Sequence, residues 1–147
     1  SSAYLVWNWP PARIFMGDVG SCPLGLVFAT LAVWSHNSGG PSVYVWLILL
    51  SVFIADATYT LILRILRGEP WYSAHRTHAY QKLVQMGYTH RRVTMGVLLI
   101  NVCALWPLAY LAHGSANAAI YICLMTYIAL ALVWWRVQSR SIRMTLY

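Results

Sequence analysis

The chain has 147 residues, 60% of them hydrophobic and only 9% charged, with ten Lys or Arg against three acidic residues and a net charge of +7. A chain this apolar is not a soluble domain and reads as an all-α integral membrane protein. The stacking platforms and extended basic face of a nucleic-acid binder are absent, so the positive balance is an orientation signal with some attraction for anionic lipid.

In chain order, residues 1–7 read as the tail of a preceding membrane helix, ended by Asn8 and the pair Pro10-Pro11. A short loop over 12–18 carries Arg13. Four spans are predicted at about 20–35, 42–66, 93–112 and 118–135, the third with a kink at Pro107. A turn-rich loop, His36 to Pro41, joins the first two, and His113 to Asn117 joins the last two. Between the second and third spans lies a polar, basic stretch over 67–92, and a short basic tail runs from Arg136 to Tyr147. Cys22, Cys103 and Cys123 lie in apolar runs without CxxC spacing and read as small buried apolar residues. The chain opens Ser-Ser, with no Met and no signal-peptide pattern, and is expected to be a single membrane domain that forms one piece of something longer.

All ten basic residues lie in the first loop, at or in the 67–92 stretch, and in the tail; the two alternate loops have none. The positive-inside rule therefore predicts that Asp18, the 67–92 loop and the C-terminus are cytoplasmic.

Three features could carry chemistry. Asp18 lies in Met16-Gly17-Asp18-Val19-Gly20-Ser21, at the mouth of the first full span. Glycines there permit close approach of backbone or ligand, the following helix points N–H groups at it, and a carboxylate could hold a divalent cation bridging to a phosphate. Equally, Asp18 could simply cap that helix. Asp56 lies inside the second span, where a carboxylate is costly unless paired or hydrated. It precedes Arg64 by eight residues, hence about 12 Å deeper at the helical rise, and Thr60 one turn on could share its hydrogen bonding. The alternative is a structural partner for an Arg or hydroxyl on another helix. The third is His75-Arg76-Thr77-His78, followed by Tyr80 and Gln81. If helical, its two histidines meet on one face and, with Arg76, could clamp a phosphate or pyrophosphate. Two histidines alone make an incomplete zinc site, and a solvated loop helix meeting lipid headgroups is the plain alternative.

These pieces together resemble a known family. Tyr4–Gly25, with Asn8, Pro11-Ala12, Phe15-Met16-Gly17-Asp18, Gly20-Ser21 and Leu24-Gly25, is similar to the aspartate segment of the polyprenyl-phosphate N-acetylhexosamine-1-phosphate transferases. Asp56 with Thr58 and Arg64 resembles that family's Asp-bearing helix, and His75 to Leu83 resembles its histidine loop, in the same order. The resemblance implies transfer of a sugar-1-phosphate from a UDP-N-acetylhexosamine to undecaprenyl phosphate in a bacterial inner membrane, with release of UMP. It implies Mg²⁺, with Mn²⁺ as an alternative, held by Asp18. It implies Asp18 and His78 as catalytic residues, Asn8, His75 and Arg76 as substrate-binding residues, and Asp56 near the cleft. A homodimer is left open.

The departures matter. His75 stands where many members have Asp, and Tyr80 and Gln81 replace later histidines, a pattern closer to the branch that initiates O-antigen or exopolysaccharide (lipopolysaccharide-type) synthesis than to the peptidoglycan branch. The family's adjacent aspartate pair has no counterpart in this sequence. The chain thus reads as the C-terminal portion of such an enzyme, inactive alone. The competing class is a non-enzymatic four-span protein, a transporter subunit or assembly factor using Asp56 as a proton or ion site.

Overall fold

The computed structural model describes residue 8, residues 17–69 and residues 78–145, without the side chains of Asp18 and residues 141–145. The expected helix tail over 1–7, most of the loop after it, and His75 with Arg76 lie outside the described residues. The described residues are overwhelmingly helical and contain no strand. This is the all-α, multi-pass membrane architecture that composition predicts. The chain forms two compact units, Ser1–Val43 and Tyr44–Tyr147.

The first unit is dominated by α1, Gly17–Asn37. Gly17 has φ +61°, a left-handed conformation that favours glycine, and it turns the chain into the helix directly before Asp18. Val19–Asn37 is long and apolar enough to cross a membrane. The helix ends in a tight turn in which Gly40 N–H donates to the Ser35 carbonyl at 2.9 Å.

The second unit is built around its last helix. The expected second span is broken: α2, Val43–Leu49, and α3, Ser51–Leu66, meet at 77° across Leu50. A helix end leaves carbonyls without intrahelical partners. The Tyr127 hydroxyl donates to the Leu47 carbonyl at 3.3 Å, and the Tyr59 hydroxyl donates to the Tyr127 carbonyl at 2.7 Å. Two tyrosines thus tie both arms of the break to one helix.

A short helix, α4, Ala79–Gln85, lies within the basic stretch. The third span then runs as α5, His90–Ile100, a wider π turn over Asn101–Leu105, and α6, Trp106–His113. Thr89 starts it, its hydroxyl accepting from Arg92 N–H at 3.3 Å. The π turn ends two residues before the expected kink residue, Pro107, whose ring would collide with the carbonyl four residues back in a regular α-helix. The last helix, α7, Ala116–Thr145, continues well beyond Trp135, so Arg136 and Arg140 stand on a helix rather than on a tail.

Helix α7 packs against α6, α3 and α4. The core joins Val45 and Ile48 of α2 to Leu105, Ala109 and Ala112, and to Ala119 and Cys123 of α7. The alanines let backbones approach closely, the usual basis of helix packing in lipid. Large apolar side chains such as Phe53, Ile62, Leu99 and Leu132 face outward, as suits a hydrocarbon solvent. Of the three free cysteines only Cys123 is buried, packed in the core beside Ala119; Cys22 and Cys103, expected to be buried, are exposed.

Candidate functional site

Helix α3 carries three polar residues toward the basic stretch. Arg64, near its end, is only 4% exposed, and its Nε donates to Glu69 Oε2 at 3.2 Å. Gly68, at φ +68°, makes the reversal that lets Glu69 N–H donate to the Arg64 carbonyl at 3.0 Å. A buried guanidinium is therefore matched by a carboxylate five residues on, a pairing the sequence reading missed although the spacing could have suggested it.

Asp56 lies deeper. Its Oδ1 accepts from Ala79 N–H at 2.8 Å, and its Oδ2 is 3.4 Å from His78 Nδ1. His78 and Ala79 thus meet α3 eight residues, or about 12 Å, back from Arg64. Both side chains are largely covered, with 18% exposure for Asp56 and 26% for His78. The predicted sharing with Thr60 does not form: its buried hydroxyl has no hydrogen-bond partner among the described residues, and the carboxylate is turned to the head of α4.

His78 is extended, with φ −61° and ψ 147°, directly before α4. It is thus not one of two histidines stacked on a helical face, and that conditional expectation fails at His78 itself. Its N–H donates to Gln81 Oε1 at 3.4 Å, and its ring stacks on Tyr80 with centroids 5.8 Å apart and planes 19° apart. Tyr80 and Gln81, two of the departures from the family pattern, pack or bond against His78.

Lys82 on α4 is 9% exposed and Gln138 on α7 is 3% exposed; Lys82 Nζ donates to Gln138 Oε1. Burial, and then the charge of Arg67, push the Lys82 ammonium below the usual lysine range, with Glu69 opposing. No sequence spacing foretells this contact, since the partners lie 56 residues apart.

Asp18 is in the first turn of α1, inside the helix rather than ahead of it. Asn8 is helical, half-buried and bonded. Both belong to the first unit, whereas Asp56 and His78 belong to the second. Among the described residues no group of three or more His, Cys, Asp or Glu could hold a metal. A complete protein-built metal cage is therefore absent among them. A single carboxylate such as Asp18 still suits Mg²⁺, which commonly takes one or two carboxylates and completes its shell with water and phosphate oxygens.

The family model for Glycosyl transferase family 4 matches residues 1–36. The chain is 33% identical over 100 residues to the probable undecaprenyl-phosphate N-acetylglucosaminyl 1-phosphate transferase of Bacillus subtilis (strain 168), covering 67% of this chain and 28% of that protein. It is 29% identical over 131 residues to the decaprenyl-phosphate N-acetylglucosaminephosphotransferase of Mycobacterium leprae (strain TN), covering 80% of this chain and 31% of that protein. To the phospho-N-acetylmuramoyl-pentapeptide-transferase of the same organism it is 43% identical over 63 residues, covering 43% of this chain and 16% of that protein. The chain thus matches less than a third of the length of these relatives. No solved structure gave a significant match.

Proposed function

Because this chain belongs to glycosyl transferase family 4, we propose that it is the C-terminal part of a membrane transferase. That enzyme moves an N-acetylhexosamine-1-phosphate from a UDP-sugar to a polyprenyl phosphate such as undecaprenyl phosphate, releasing UMP, in the synthesis of a cell-envelope glycan. The observation that carries the proposal is the similarity to the named relatives; beside it stands His78, of the loop that resembles the family's histidine loop, seated against Asp56. The departures at His75, Tyr80 and Gln81 support a branch initiating O-antigen or exopolysaccharide synthesis. The positive-inside pattern supports a cytoplasmic 67–92 loop and C-terminus in a bacterial inner membrane.

In this reading Asp18 would hold Mg²⁺, which when bound would neutralise the donor's pyrophosphate. The rest falls to the chain's own groups. His75, Arg76 and Asn8 would bind the nucleotide-sugar. His78, fixed at the head of α4, would offer its imidazole to the phosphates or sugar. The stacked Tyr80 would limit its rotation and its contact with water. The chain by itself is expected to be inactive, since it lacks the family's aspartate pair.

The test is substitution in the complete enzyme. Asp18→Asn should abolish sugar-1-phosphate transfer with folding intact. If Asp18→Asn is mild and Asp56→Asn alone is lethal, a transport function centred on Asp56 replaces the transferase. Release of UMP by the 147-residue chain in bilayers with Mg²⁺ would refute its inactivity alone.

A further inference from the structure

We propose that Asp56 is a positioning residue that acts through His78, by docking the head of α4 onto the membrane helix α3. The catalytic half of this inference rests on the transferase reading; the docking half does not.

The two oxygens of Asp56 meet consecutive residues of one segment. Oδ1 takes the Ala79 N–H at 2.8 Å, and Oδ2 lies 3.4 Å from His78 Nδ1. One carboxylate therefore fixes both the backbone that enters α4 and the ring just before it. Helix α4 needs such ties, because it has seven residues, and isolated helices shorter than about 12 residues are marginal in water. Its ties to the spans include Asp56 at the head and the Lys82–Gln138 contact further along. Gln81 closes the head locally by accepting the His78 N–H. The cluster is thus built from α3 outward: Asp56 holds the segment, and the segment presents the imidazole.

This arrangement differs in kind from the other roles open to a membrane carboxylate. A metal ligand would turn an oxygen toward the ion, whereas Asp56 turns Oδ1 to the Ala79 N–H and Oδ2 to His78 Nδ1. A proton carrier exchanges partners as it works, whereas here both oxygens are committed to one segment. Asparagine keeps an oxygen able to accept the Ala79 N–H but gives up the charge; alanine gives up both. The two substitutions therefore separate anchoring from charge.

Two measurements on the complete enzyme in bilayers test the proposal. In hydrogen exchange, Asp56→Ala should speed exchange of the Ala79–Gln85 amides at least tenfold while α7 is unaffected, and Asp56→Asn should have a smaller effect. Unchanged exchange in Asp56→Ala overturns the docking. In transfer kinetics, Asp56→Ala and His78→Ala should each lower kcat/KM, and the double variant should be no slower than His78→Ala alone. Losses that multiply in the double variant overturn action through His78. Asp56→Asn should retain more activity than Asp56→Ala, and equal loss in both would assign the role to the charge instead. If the wild-type enzyme transfers no sugar-phosphate, the transferase reading fails, and hydrogen exchange still decides the docking.

Discussion

Replacing Gln138 with Leu should destabilise the protein by about 2–3 kcal/mol, although the change puts an apolar residue into an apolar helix. Gln138 is 3% exposed and accepts from Lys82, itself 9% exposed. A hydrogen bond to a charged group contributes about 1.5–3 kcal/mol, and removing one partner leaves the other to bear its desolvation. The Leu variant strands a buried ammonium, hence the upper part of that range. Lys82→Met removes the cation and takes one hydrogen bond from a neutral amide, so it should cost about 1–2 kcal/mol. The double variant replaces both partners by apolar groups of similar shape and should be within about 1 kcal/mol of wild type. The expected coupling is then about 2–5 kcal/mol, or roughly 30- to 5,000-fold in the unfolding equilibrium. Reversible unfolding in bicelles, followed for all four proteins of the cycle, gives these values directly. Single losses that simply add in the double variant would refute a direct Lys82–Gln138 interaction and with it the docking of α4 on α7.

Two further outcomes follow from named contacts. Tyr127→Phe removes the hydroxyl that donates to the Leu47 carbonyl beside the 77° break, and should cost about 1 kcal/mol and speed amide exchange around Leu50; no change in either would show that the bend does not depend on this bond. The depressed Lys82 also sets a pH dependence. Between its folded value and the usual lysine value near 10.4 the unfolded chain binds more protons, so stability should rise as pH rises through that window. Lys82→Met should flatten this alkaline rise in thermal unfolding, and an unchanged slope would show that another group produces it.

The sequence by itself determined the solvent, the class and the family. An excess of apolar residues in helix-length runs has only one stable outcome in lipid, because every backbone N–H and C=O must be satisfied within the segment. Asp18, Asp56 and His78 were visible as candidates for a local reason: an acid inside a span, or a histidine in an otherwise apolar chain, is conspicuous without knowledge of its partners. The partners themselves are tertiary. Neither the break at Leu50 nor the length of α7 is written in hydropathy, which is equally apolar on both sides of Leu50 and which reads Arg136 as the start of a tail. Tyr127, from a distant part of the chain, bonds both the Leu47 carbonyl and the Tyr59 hydroxyl on either side of the break, and α4 packs on α7 through Lys82 and Gln138. The pairing of Asp56 with His78 and Ala79 could not be read from the sequence either. The local pattern pointed to Thr60 one turn away, but the tertiary fold brings the Ala79 N–H and the His78 imidazole to that carboxylate.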